Sequence, residues 1–188
     1  MDFIKRAVVA IFDFLQSIVV VMAIMVMIYL FVMSPQEIKG ASMEPSFING
    51  EYILTNKILY KIKDPKRGEV VIFKSPGNPE IDYIKRIIGL PGDTVMLRND
   101  TMYVNDSEVE EPYLSPDITI FGGSYLTEDQ EIVVPEGEYF VMGDNRPHSA
   151  DSREFGTVPK EDFIGKAFLR YWPFSKFGVV PQPSYEIP

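Results

Sequence analysis

The sequence predicts a mostly β fold: a single N-terminal transmembrane helix, then an extracytoplasmic domain of β-sheet. Three observations predict it. One stretch, Phe14 to Met33, holds 18 apolar residues in 20, broken only by Gln16 and Ser17. Beyond it, short β-branched and aromatic runs recur at close spacing. Pro and Gly, 15 and 13 of 188 residues, punctuate many of the gaps between them.

The elements follow in order. Residues 1–13 read as a short cytoplasmic N-terminus, because Lys5 and Arg6 precede the apolar stretch and positive charge stays inside. Residues 14–33 read as the membrane helix, since a 20-residue helix spans about 30 Å, the thickness of a bilayer core. The stretch is too long for a signal-peptide h-region, and no small-x-small cleavage pattern follows it. The 16 consecutive apolar residues from Ile18 leave no polar face, which argues against a buried hairpin helix. Residues 34–188 then form the outer domain, with a loose tail from about residue 181.

Strands are expected at Tyr52–Leu54, Val70–Phe73, Ile81–Ile88, Thr94–Leu97, Met102–Val104, Ile132–Val134, Tyr139–Met142 and Ala167–Trp172. Asn99-Asp100 and Asn105-Asp106 read as hairpin turns, because Asn and Asp tolerate positive φ. A short helical turn is expected near Asn56–Lys63 or Asp162–Lys166. The run Tyr171-Trp172-Pro173-Phe174 reads either as an interfacial aromatic girdle or as core packing of a final strand.

Charge and composition exclude several functions. Residues 1–33 carry no net charge, so the −9 belongs wholly to the outer domain. An acidic surface argues against nucleic acid, whose phosphates need basic partners. Zero Cys excludes disulfides, thiolate catalysis and Cys-ligated zinc, and the single His148 excludes a two-His metal site. No metal or cofactor is expected.

Three separated segments carry chemistry: Gly40-Ala41-Ser42-Met43-Glu44-Pro45, Asp82-Tyr83-Ile84-Lys85-Arg86 leading to Gly89-Leu90-Pro91-Gly92-Asp93, and Gly143-Asp144-Asn145-Arg146 running on to Ser149-Ala150-Asp151-Ser152-Arg153-Glu154-Phe155-Gly156. Each alone has a plain reading. The serine reads as a turn residue, the lysine as an edge-strand gatekeeper, and the third segment as a solvated loop closed by ion pairs. Together, in this order, they resemble the three signature boxes of the bacterial type I signal peptidases, membrane-bound Ser/Lys endopeptidases. The resemblance runs from the apolar stretch to about Phe174 and includes Arg67-Gly68-Glu69, Tyr103-Val104-Asn105 and Glu111-Pro112-Tyr113-Leu114. It lacks the long inserted domain of the Gram-negative enzymes and looks like the compact Gram-positive form.

The resemblance implies a β-sheet, partial-barrel catalytic domain and a role for each matched residue. Ser42 is the nucleophile and Lys85 the general base. Ser149 orients the lysine, Asp151 and Arg153 support Ser149, and Asp144 and Arg146 brace the same loop. The backbone N–H groups of Ser42 and Gly40 face the oxyanion; Gly40 stands where some relatives place a serine hydroxyl, which leaves the second donor open. Ile38, Met43, Phe47, Tyr83 and Ile84 line small apolar pockets for Ala-like side chains, and Asp82 with Tyr83 pairs with an extended substrate backbone. The implied partners are preproteins with signal peptides and the lipid bilayer, without nucleic acid, and the enzyme acts as a monomer in the plasma membrane.

Elementary chemistry agrees. A serine hydroxyl needs a base to take its proton. A free lysine, with a pKa near 10.4, is charged at neutral pH; burial among Ile84, Ile87 and Ile88 disfavours the ammonium. His148 reads as solvent-facing. Two rivals stay open at this point: a narrower Ser/Lys protease, such as a LexA-like self-cleaver or a pilus-system processing enzyme, and an inactive tethered adaptor that only binds exported chains.

Overall fold

The computed structural model describes residues 2–115, 118–183 and 185. Its first element, α1, runs from Asp2 to Phe31 as one continuous helix. The helix therefore starts well before residue 14, and Lys5, Arg6 and Asp13 lie on it. Its 29-residue stretch Phe3–Phe31 is long and apolar enough to cross a membrane, and its apolar side chains are exposed. At about 1.5 Å per residue it exceeds the hydrocarbon thickness, which leaves its charged first turns room to emerge.

The rest is antiparallel sheet. In chain order come β1 (Met33–Glu37), β2 (Tyr52–Asn56), the single turn α2 (Leu59–Ile62), β3 (Val70–Ser75), β4 (Asn78–Gly89), β5 (Thr94–Arg98), β6 (Thr101–Val104) and β7 (Ser107–Glu108). Then follow β8 (Glu131–Val133), β9 (Glu138–Met142), the turn α3 (Ser152–Phe155), β10 (Val158–Pro159), β11 (Phe163–Trp172) and β12 (Gly178–Val179). The larger sheet has the order β1-β2-β11-β3-β4-β9-β10, with β12 on β11; the smaller has the order β7-β6-β5-β8.

Each expected strand falls inside an observed one except Ile132–Val134, which runs one residue past the end of β8. The expected turn near Asn56–Lys63 is α2, capped by the Asn56 Oδ1, which accepts from the Ile58 and Leu59 N–H groups. Asp162–Lys166 instead ends a short 3₁₀ turn and enters β11. Both Asn-Asp pairs occupy the left-handed region, with φ of 48° and 61° at Asn99-Asp100 and 51° and 60° at Asn105-Asp106. That conformation matches the twist of the flanking strands and closes β5 on β6 and β6 on β7.

The sequence pattern does not contain β1. Met33-Ser34-Pro35-Gln36-Glu37 has no alternating apolar face, yet all five residues pair with β2. The chain thus passes from α1 into sheet with hardly a linker. Lys57 locks the joint: its N–H donates to the Val32 carbonyl (2.9 Å) and its Nζ to the Tyr29 carbonyl (3.2 Å) at the helix C-terminus.

Among the described residues, three apolar clusters fill the interior. One lies between the two sheets around Leu97, Val104 and Phe140. One lies under the Ser42 loop around Ile38, Met43, Phe47 and Ile53. One is aromatic, around Tyr60, Phe73 and Tyr139. The aromatics ending β11 are not core: Trp172 and Phe174 stack edge to face at 5.0 Å and point outward, with Phe177 and Val179 beside them.

The tail departs from expectation. Val180 is buried, with its N–H bonded to the Phe168 carbonyl at 3.0 Å. Gln182 accepts from Lys166 Nζ at 2.8 Å, and Tyr185 packs against the inter-sheet core. Up to Tyr185, the described tail residues are docked rather than loose.

Candidate active site

Ser42 lies in the turn after β1. Two bonds close the loop: Ile38 N–H to the Glu51 carbonyl (2.8 Å) and Gly50 N–H to the Ile38 carbonyl (2.9 Å). Met43 and Phe47, each 1% exposed, drive the turn into the core beneath. The Phe47 N–H bonds the Met43 carbonyl at 2.8 Å, which completes the turn and leaves the Ser42 side chain at the cleft.

Lys85 arrives on β4, opposite Val71 of β3. It is 3% exposed, and its Nζ lies 2.7 Å from Ser42 Oγ. The Tyr83 ring covers its flank at 5.3 Å. Burial lowers its pKa from 10.5 to about 8; Asp151 and Asp144 pull upward against that, and Arg153 pulls down. As an ammonium, Lys85 donates to Ser42. Once neutral, it has a lone pair for the Ser42 proton, and the bond reverses. Any reaction that uses this amine as base should gain about tenfold per pH unit below the midpoint and level off above about 8. A pH–rate profile checks this.

The third segment wraps around both. Asn145 donates its backbone N–H to the Ser42 carbonyl and its Nδ2 to the Ala41 carbonyl, each at 3.0 Å. Gly143 sits so close that an added Cβ would lie 2.4 Å from the Ser42 carbonyl oxygen and 2.2 Å from Ser149 Oγ, so no side chain fits there. The Gly143 N–H donates to Asp151 Oδ2 at 3.0 Å. Arg153 grips Asp151 with Nε and Nη2, both at 2.8 Å, and extends to the Arg146 carbonyl at 2.7 Å.

Several expected residues take other partners. Asp144 pairs with buried Arg86, through Nε at 2.9 Å and Nη2 at 2.6 Å. Arg146 instead pairs with Glu111, through Nη1 at 2.7 Å and Nη2 at 2.5 Å, and donates Nε to the Gly143 carbonyl at 3.0 Å. Sequence reasoning gave Glu111 and Tyr113 no role; their signal was the charge and aromatic ring in Glu111-Pro112-Tyr113-Leu114. Ser149 Oγ is buried without a hydrogen-bond partner among the described residues, so the expected bond to Lys85 is not formed.

Gly40 is a correction. Its N–H donates to Asn49 Oδ1 at 2.9 Å and is not free for an oxyanion, whereas the Ser42 N–H has no protein acceptor among the described residues. Gly40 has φ +91° with open space around a would-be Cβ. Backbone conformation, not room, disfavours a side chain there.

The cleft holds ≈ 770 Å³, with residues 35–42 along one wall and residues 80–85 along the other. Ile38, Asp82, Tyr83 and Ile84 line it, while Met43 and Phe47 lie in the core below. Tyr83 is held by Phe73 and Phe155, with ring centroids 6.1 and 6.3 Å away. Asp82 is tied to Lys74 Nζ at 2.6 Å. Both walls have free edges among the described residues: there β1 pairs only with β2, and β4 meets β9 only from Arg86 onward. His148 is exposed, as expected, but stands at the cleft rim, its Nδ1 3.2 Å from Asn145 Oδ1.

A serine hydroxyl in contact with a buried lysine stands beside a cleft whose two strand edges are unpaired among the described residues. The family model described as signal peptidase, peptidase S26, matches residues 11–172, and the chain belongs to this family of serine endopeptidases. It is 39% identical over 176 residues to signal peptidase IB of Staphylococcus aureus (strain Mu50), covering 88% of this chain and 91% of that one. It is 42% identical over 155 residues to signal peptidase I of Bacillus caldolyticus, covering 79% and 84%. A crystal structure of a signal peptidase I from Enterococcus faecalis aligns with TM-score 0.47 and 38% identity, over 56% of this chain and 97% of that one.

Proposed function

We propose that the chain is a membrane-anchored endopeptidase that removes N-terminal signal peptides from exported preproteins, with Ser42 as nucleophile and Lys85 as general base. The 2.7 Å contact between Lys85 Nζ and Ser42 Oγ in a buried setting carries the reading. Neutral Lys85 takes the Ser42 proton as Oγ attacks the scissile carbonyl. The ammonium returns that proton to the leaving amine, and water, deprotonated by Lys85, hydrolyses the acyl-enzyme. The Ser42 N–H is one oxyanion donor.

The substrate enters as an extended strand between β1 and the first half of β4, whose free edges supply backbone partners. Ile38, Tyr83 and Ile84 bound shallow apolar recesses at the cut, which favours small side chains such as Ala; Met43 and Phe47 shape them from beneath. The helix α1 anchors the domain with the N-terminus in the cytoplasm and the outer domain across the plasma membrane. The outward Trp172, Phe174 and Phe177 suit a lipid interface. The acidic domain docks through apolar contacts, not through charge, and acts as a monomer.

Covalent labelling separates this reading from an inactive adaptor. An acylating inhibitor should modify Ser42, detected by peptide mass mapping, and should label Lys85→Ala far more slowly. An unlabelled Ser42 in folded protein would support the adaptor.

A further inference from the structure

Pro183 and Tyr185 of the docked tail pack against the loop that precedes β3. Gly68 makes way for them. A Cβ there would lie 2.7 Å from both the Pro183 carbonyl oxygen and the Tyr185 ring. Gln182 ties to Lys166 on β11, and Tyr185 reaches a half-buried cluster of polar groups.

That cluster centres on Tyr113. Its hydroxyl donates to Glu111 Oε1 at 2.6 Å and lies 2.8 Å from the Tyr185 hydroxyl. A phenol has one proton. Tyr113 gives its proton to Glu111, so Tyr185 is the donor in the second contact. Burial pushes both phenols up, which keeps those protons in place. Arg146 Nη2 also donates to the Tyr113 hydroxyl, at 3.3 Å. The Tyr113 ring lies under the Arg86 guanidinium, 4.1 Å from it.

Arg86 and Arg146 lead to the two halves of the site. Arg86 follows Lys85 on β4 and grips Asp144. Arg146 holds the Gly143 carbonyl beside Ser42 and Ser149. We propose that the docked tail is a strap whose Tyr185 hydroxyl, through Tyr113, positions the Lys85 strand and the Gly143–Ser149 loop. This rests on the Ser42–Lys85 reading. Tyr185 is a positioning residue; it touches neither reacting atom.

The consequence falls on Lys85. The charges facing it are Asp144 and Asp151, which favour its ammonium, and Arg153, which disfavours it; burial outweighs them. Loosening the strap weakens the Arg86 grip on Asp144, leaves that carboxylate less neutralised near Lys85 and raises the midpoint of about 8. A rise of about half to one unit lowers cleavage at neutral pH roughly 3- to 10-fold and leaves rates well above the midpoint unchanged.

The test uses the full chain in detergent micelles, Tyr185→Phe, and a chain ending at Pro181. The Lys85 midpoint is read from the lysine Cε NMR signal, and cleavage of one preprotein is followed across pH. Both variants should titrate later than the wild type, Tyr185→Phe by the smaller amount, with the rate profile moving in step. Wild-type midpoints in both would overturn the strap, even with lowered melting temperatures. Should the shortened chain not fold, Tyr185→Phe decides alone. A wild type that cleaves no preprotein would defeat the proposed function, while the NMR midpoint still decides the strap.

Discussion

Ser42→Ala and Lys85→Ala should each reduce preprotein processing to background. A general base contributes about 10²- to 10⁴-fold, and loss of the nucleophile removes the covalent route altogether. Because the two groups act as one unit, the double variant should be hardly worse than the worse single variant. The fold should survive. Ser42 Oγ loses only its contact with Lys85, and Lys85 is a burden on the fold near neutral pH. Its pKa is lowered to about 8 in the folded chain, from 10.5. Between those values the unfolded chain binds more protons, so stability rises with pH across that window, and the penalty is full below about 8. Lys85→Met should therefore melt higher than the wild type at pH 7, by differential scanning calorimetry, while losing activity.

Asp144→Ala should have the largest effect on stability. The Arg86–Asp144 pair is bidentate, with side chains only 2% and 0% exposed. Removing the carboxylate leaves a buried guanidinium with the Gly68 carbonyl (2.9 Å) as its main remaining acceptor. Breaking a buried pair this way costs about 3–5 kcal/mol, a large share of the roughly 5–15 kcal/mol that holds a domain together. The melting temperature should fall by about 6–20 °C at roughly 2–4 °C per kcal/mol. Asp144→Asn, which keeps an acceptor for Arg86, should fall less. Equal, negligible losses in both variants would mean that the pair is not buried as described.

Much of the fold was legible because its signals are local. Val70–Phe73 and Tyr139–Met142 are apolar runs bounded by turn residues, and they became β3, at the centre of the larger sheet, and β9, beside its edge strand β10. The two Asn-Asp turns were legible for the same reason. The candidate site was legible through its motifs, which brought Ser42, Lys85, Gly143 and Asp151 together. What stayed hidden depends on contacts between distant segments. Strand β1 exists because β2 is beside it, since Pro35 and Gln36 carry no strand pattern. The partner of Arg146 is Glu111, 35 residues away. Asn49 takes the Gly40 N–H only because the loop closes on itself. Met43 and Phe47 read as pocket residues, but the turn that holds Ser42 at the cleft needs their bulk underneath. The tail looked loose because Pro and Gln carry no pattern, and its hold comes from Gly68, Lys166 and Tyr113.

The most direct measurement is mass spectrometry of the products from one preprotein, incubated with wild type and with Lys85→Ala at pH values on both sides of 8. The wild type should release two fragments cut after a small residue, increasingly as pH rises toward 8. Lys85→Ala should release neither at any pH. The same fragments from Lys85→Ala, at comparable yield, would contradict the Ser42–Lys85 mechanism.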